Sequence, residues 1–330
     1  MLSMHRALKQ HLIHLLDEQG SGKLQLVFER ALSLVRRAFP RGDELQAPTN
    51  HTWEACEARL PHVSSLQTIF ESWTPQLKAT MPFATLLADT GNHLWERGLV
   101  KQALGIMDTG EKVCEGLSHE SEVHTVHANI CAISSAVYLD IGFSGRHKAL
   151  ALVKKALELR QRRMRMLDEN DKGTATDALQ LANAWNDLGV ILIQMGEYEK
   201  AVPSFDESLK LKNTWASEDI IPWHFGETYK NLAIVELSRR NFENARAYAT
   251  RATSLSTRNM GEKTASTFKA KFVMATVLLN CNDLQASLLI HKEVLAGRRE
   301  VMGERHQTTK DSFYALGAIY ELRNKWDKAE

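Results

Sequence analysis

The segment His119-Glu120-Ser121-Glu122-Val123-His124, with His127 just beyond it, is where this sequence comes nearest to a metal-binding motif. A zincin helix sets its two histidines four residues apart, so that both imidazoles share a face. His119 and His124 are five apart and do not. His124 and His127 can share one, but no third ligand stands out beside them, so they read as surface histidines around a helix start. Gly20-Ser21-Gly22-Lys23 looks like the end of a phosphate loop. That loop needs an earlier Gly, a following Ser or Thr and a preceding strand. Here Leu24 follows and the flanks have helical spacing, so the segment reads as a glycine hinge. Arg160, Arg162, Arg163 and Arg165 form a basic run, with Asp168, Glu169 and Asp171 close behind. Cations suit a helix C-terminus, which favours a solvated helix end; an acidic partner or a phosphate is the alternative. Asn50-His51-Thr52 has the form of a glycosylation acceptor, but nothing else points to secretion. No nucleophile elbow, spaced Cys–His arrangement or paired-carboxylate pattern stands out. The expectation is a protein that is not an enzyme, with no catalytic residues, no metal and no cofactor.

The elements that would position any functional residue are helical hairpins. In Trp185–Leu211, the residues Trp185, Leu188, Gly189 and Leu192 recur at i, i+3, i+4 and i+7, one face of a helix. Gly196 ends that helix, and Ala201, Phe205 and Ser208 open a second apolar stripe. Gly189 and Ala201 are small where the two helices cross at close range. This pattern resembles the tetratricopeptide repeat, with Leu192 in place of its Tyr. Copies follow at Tyr229, Leu232, Ala233, Ala245 and Ala252, at Met274, Leu278, Ser287 and Val294, and at Phe313, Leu316, Gly317 and Tyr320. Earlier ones lie at Cys131, Ser135, Ala149 and Val153, and at Leu87, Gly91, Ala103 and Met107. The small residues opening each second helix are Ala103, Ala149, Ala201, Ala245, Ser287 and Ala329, at intervals of 42 to 52 residues. The plain repeat is about 34 residues, and the surplus is about one extra turn per helix. The expected fold is all-α: a right-handed superhelical solenoid of long, 42-residue-type tetratricopeptide repeats, about five and a half of them over residues 83–330, the last cut short at Glu330.

Residues 1–82 differ. Five of the seven prolines lie there, breaking amphipathic pieces at Leu8–Leu16, Val27–Ala38 and Trp53–Trp73. The block reads as a non-repetitive helical cap on the open end of the array. Met1–Leu16 already has the pattern of a mid-domain helix, so Met1 is expected to be internal to a longer chain. Hydrophobic content of 44% with 25% charged residues fits a folded chain. A net charge of +1 gives no general pull toward nucleic acid or anionic membrane. Four scattered cysteines without a C-x-x-C, and no apolar run long enough for a signal or a span, suggest a reducing, cytoplasmic setting.

First helices of stacked hairpins line the inner groove. Their non-core positions are therefore the candidate binding residues: Asn129, Asn183, Asn186, Lys230, Asn231, Phe272 and Tyr314, flanked by Glu227, Lys269 and Asp311. An asparagine amide both donates and accepts, so it can hold the backbone of an extended peptide. Phe272 and Tyr314 would be apolar anchors.

Two narrower resemblances go further. Val294-Leu295, Arg298-Arg299, Val301 to His306 and Thr308-Thr309 resemble the repeat and linker of the kinesin-light-chain type, with Met302 for its Leu and Gln307 for its Pro. His5 to Leu8, Val27 to Ala31, Arg36 to Pro40, Trp53 to Cys56 and Leu60 to Val63 are similar to the helical stretch that joins the ATPase to the C-terminal repeats in fungal NLR-like (STAND) proteins. That resemblance implies a sensor and autoinhibitory arm whose partners are a protein or peptide ligand and an ATPase domain of the same full-length protein. A free-standing kinesin-light-chain-like adaptor or scaffold is the alternative.

Overall fold

The computed structural model describes residues 21–40, 50–74, 76–118, 122–167 and 175–323. Among the described residues the regular structure is entirely helical. An N-terminal group comprises α1 (Ser21–Ala38), a short α2 (Trp53–Glu57) and α3 (Leu60–Trp73). Paired helices follow: α4 (Met81–Glu96) with α5 (Val100–Gly116), α6 (Val123–Asp140) with α7 (Arg146–Met166), α8 (Ala175–Gln194) with α9 (Tyr198–Trp215), α10 (Pro222–Ser238) with α11 (Phe242–Met260), and α12 (Ala265–Asn280) with α13 (Leu284–Met302). A further helix in the place of a first helix, α14 (Gln307–Leu322), ends the described elements.

The register expected from the small residues holds. Ala103, Ala149, Ala201, Ala245 and Ser287 are each the fourth residue of a second helix, and each is fully buried. Ala329 lies outside the described residues. Gly189 takes part differently from the expectation of a bare helix crossing. A Cβ there would stand 2.6 Å from the Phe205 ring, so the missing side chain is the seat of that ring. Sequence spacing puts Gly189 and Phe205 on facing stripes but does not say that one is the socket of the other.

Four of the five described turns inside hairpins share one backbone solution, the exception being the α6–α7 turn at Gly142. Leu99 N–H bonds to Leu94 O, Glu197 to Leu192 O, Asn241 to Glu236 O and Asp283 to Leu278 O, at 2.8–2.9 Å. A second bond spans three residues inside each, as from Gly98 N–H to Trp95 O. This Schellman geometry requires one left-handed residue. Gly98 and Gly196 supply it at low cost (φ 69° and 81°), but Arg240 and Asn282 fill the same place with side chains (φ 60° and 64°).

Successive first helices pack directly on one another (α4 on α6, α6 on α8, α8 on α10, α10 on α12), while second helices pack mainly on first helices. The first helices are therefore the inner wall. The N-terminal group is continuous with the array. Phe28, Phe70 and Phe83 form one aromatic cluster with centroids 5.1–6.2 Å apart, inside a core that runs on to Val137. Pro82, placed by sequence at the boundary of the cap, sits in the first turn of α4, where a proline's missing N–H costs nothing.

One local expectation shifts. Gly22 and Lys23 lie within α1, so the Gly-Ser-Gly segment is not a hinge from Ser21 onward; Gly20 and Leu8–Leu16 fall outside the described residues. Pro203 is the sixth residue of α9, beyond the first four N–H groups that lack partners anyway, so it removes one helical bond.

Substituting Gly189→Ala should destabilise the fold by about 1–3 kcal/mol, the usual cost of overpacking a filled core. Urea unfolding of the two proteins checks this; an unchanged midpoint would mean that the Phe205 ring has room to move.

Candidate functional site

The inner wall is polar, and much of its polarity is turned on itself. Asn186 is buried and accepts 3.1 Å hydrogen bonds from Thr228 Oγ1 and Asn231 Nδ2 on the next first helix. Asn183 Oδ1 stands 3.3 Å from His224 Nδ1, and Asn129 Oδ1 accepts from Arg160 Nη2 at 3.0 Å. Asn183, Asn186 and Asn231 thus tie neighbouring first helices together, while Asn129 is held by the second helix of its own hairpin. Spacing shows which face an amide occupies, not whether the adjacent repeat carries its partner. Phe272 is half-buried between the His291 ring (5.0 Å) and the Arg298 guanidinium (4.7 Å). Lys230 pairs with Glu227 at 2.5 Å, its side chain only 13% exposed. Tyr314 alone of the seven candidates is open, at 77% exposure.

A repeated brace was not foreseen. Arg160, Lys212 and Arg298 are each the fifteenth residue of a second helix, and all three are buried. Each reaches the first helix of the following repeat. Arg160 donates to Gln180 O. Lys212 donates to His224 O (2.8 Å) and Thr228 Oγ1 (2.7 Å). Arg298 donates to Thr308 O (2.6 Å) and Ser312 Oγ (2.8 Å). Arg160 is thus removed from the solvated run in which its sequence neighbours place it. Its recurrence at a fixed position in three second helices was the available signal. Burial drags the Lys212 ammonium down to about 7, against the pull of Asp187 and Glu227. Burial likewise brings Arg298 down to about 10.

The first and last described first helices touch at one point. His306, the N-cap of α14, directs Nε2 to Glu96 O at the end of α4, 3.3 Å away and 210 residues earlier. Its Nδ1 accepts from Thr308 N–H, so Nε2 carries the proton. The Lys269 ammonium of α12 lies 5.7 Å from the Trp95 ring centroid. Trp95 Nε1 donates to Asp140 at 2.9 Å, and Glu96 accepts from Trp53 (3.1 Å) and Asn92 (2.9 Å). Lys269 thereby sits among carboxylates from three first helices: Glu227, Glu96 and Asp140. Burial lowers its affinity for a proton and raises that of Glu96 and Asp140, with Lys269 opposing both rises. What results is a charged lining at the inner face where first and last repeats meet. The sequence pattern marks only Glu227, Lys230, Lys269 and Asp311 of it. Glu96, Trp95 and Asp140 lie at helix ends, outside the core stripe, and no local pattern marks them.

The histidines also moved. His124 and His127 are buried, not on the surface, and burial lowers the pKa of both. His119 lies outside the described residues.

These features define a tetratricopeptide-repeat solenoid with a polar inner wall. Sequence profiles of the tetratricopeptide repeat match residues 182–214 and 273–308. No curated protein sequence matches the chain. Among solved structures, NprR in complex with its cognate peptide NprX is similar at a TM-score of 0.62 and 14% identity, over 97% of this chain and 80% of that one. The apo form of the quorum sensor NprR from B. thuringiensis gives 0.57 and 12%, over 98% and 92%. BtubC (BKLC) from P. vanneervenii gives 0.51 and 19%, over 70% and 86%. At these identities the likeness is one of fold. Among the described residues no helix is long and apolar enough to cross a membrane.

Lys212 makes the brace pH-dependent. Its folded pKa is below its unfolded one, so the unfolded chain binds more protons between about pH 7 and pH 10. Stability from this group is present above the unfolded value and is lost as pH falls through about 7. Lys212→Met should therefore flatten the rise of stability between pH 7 and 10 relative to wild type. Denaturation midpoints across that range check it; identical slopes would contradict the assignment.

Proposed function

We propose that the chain is a protein-interaction module that holds an extended peptide, or a protein segment of that shape, against its inner wall. The observation that carries this is the convergence of Lys269, Glu227, Glu96, Asp140 and Trp95 from four separate first helices on one face. Lys269, Glu227 and Glu96 are half-buried charges opposed across this face and costly to maintain, and an incoming segment that supplies matching donors and acceptors recovers that cost. The similarity to NprR, crystallised with a peptide, supports the mode of binding. The internal bonds of Asn186 and Asn231 shift recognition away from the asparagines toward Lys269, Trp95 and the open ring of Tyr314.

At a finer level, the module is proposed to be the sensor and autoinhibitory arm of a fungal NLR-like signalling ATPase, acting in the cytoplasm on a protein or peptide ligand. The N-terminal residues Val27–Ala31, Arg36–Pro40 and Trp53–Cys56 carry that reading. They also pack on the first repeat: Phe28 meets Phe83, and Arg36 pairs with Asp89 at 2.9 Å. A linker seated in this way couples any shift of the repeats to whatever precedes it. A free-standing adaptor of kinesin-light-chain type is the second reading, favoured by Val294–Thr309.

The test is selection of peptides from a displayed library on the immobilised chain, followed by affinity measurement of the enriched peptides. Lys269→Glu and Trp95→Ala should each weaken them at least about tenfold, roughly 1.4 kcal/mol. Affinities unchanged by both substitutions would place recognition elsewhere.

A further inference from the structure

We propose that Glu111, His127 and Cys131 form a binding site for a zinc-type divalent cation between α5 and α6, which Lys155 guards. One ligand atom from each of the three lies within 4.8 Å of the other two. His127 and Cys131 are four residues apart on α6 and so share a face. Glu111 faces them from α5, its Oε1 3.9 Å from His127 Nε2. Sulfur, imidazole nitrogen and carboxylate oxygen together are a zinc donor set and a poor one for magnesium or calcium. Bonds of about 2.0–2.3 Å would draw the three donors closer and leave a fourth, tetrahedral position for water.

An independent observation points the same way. His127 is buried, and its Nε2 has no hydrogen-bond partner although it faces this cluster. A buried imidazole nitrogen left so is normally paired. Cys131 is buried as well, with its sulfur within reach of the same cluster.

The plainer account is that Lys155 already satisfies the cluster, since its Nζ is 2.6 Å from Glu111 Oε1. Lys155 does not bond His127, however, and as a point charge it satisfies the carboxylate alone. Its side chain is 39% exposed and can withdraw to solvent. Metal uptake is then an exchange of one cation for another, and Lys155 sets the affinity. The site ties the second helix of one repeat to the first helix of the next, so a bound ion would act as a clamp. This inference does not depend on the peptide reading.

The test is titration of the full chain, freed of metal by chelator, with Co(II) followed by absorption. One equivalent should produce a thiolate charge-transfer band with the visible bands of tetrahedral Co(II), and Zn(II) should abolish both. Cys131→Ser should remove the charge-transfer band and His127→Ala should weaken binding about 100-fold, whereas Cys281→Ser should leave both untouched. Lys155→Met should tighten binding about tenfold. Circular dichroism checks that each variant is folded. Absence of the band in both wild type and Lys155→Met would overturn the proposal, and so would its persistence in Cys131→Ser.

Discussion

Everything in this solenoid depends on two helices being able to approach at the fourth residue of each second helix. Ala103, Ala149, Ala201, Ala245 and Ser287 are buried to the point of having no accessible surface. A larger side chain there would hold the hairpin open, and the faces presented to the neighbouring hairpins would no longer match. Repeat proteins gain stability from each interface with a neighbour, so an open hairpin loses more than its own contacts. The Schellman turns serve the same end. They fix the angle of entry into α5, α9, α11 and α13, even where Arg240 and Asn282 must take a left-handed conformation to do so.

Polar contacts stitch the stacked hairpins on the inside. Arg160, Lys212 and Arg298 reach from a second helix into the following first helix, while Asn186, Thr228 and Asn231 bond first helix to first helix. Buried charges of this kind are expensive. They are tolerated because backbone carbonyls and hydroxyls receive them, and they fix the rotation of one repeat against the next more narrowly than apolar packing would. That rotation brings Glu96 to His306 and Lys269 to Trp95. The wall proposed to dock a partner is thus a consequence of inter-repeat geometry.

The array was legible in the sequence because hairpin packing is periodic. Small residues at regular intervals, and glycines such as Gly98 and Gly196 after a first helix, are local signals. The inner wall was legible only as a face. Asn186 and Asn231 were rightly placed on first helices, but nothing in one helix reveals that the next repeat offers Thr228 at bonding distance. His127 reads as a surface residue because no third ligand stands near it in sequence, and Arg160 reads as solvated among charged neighbours, yet α5 and α8 cover them. The meeting of Glu96 with His306 spans 210 residues and follows from accumulated twist, which no local window contains.

The most direct test of the close crossing is amide hydrogen exchange in wild type and Ala201→Leu. The account predicts lost protection in α8 and α9, extending into α10, which shares the disturbed interface, and fading toward α13. Wild-type protection throughout the variant would contradict it, because the crossing would then have had room for a leucine.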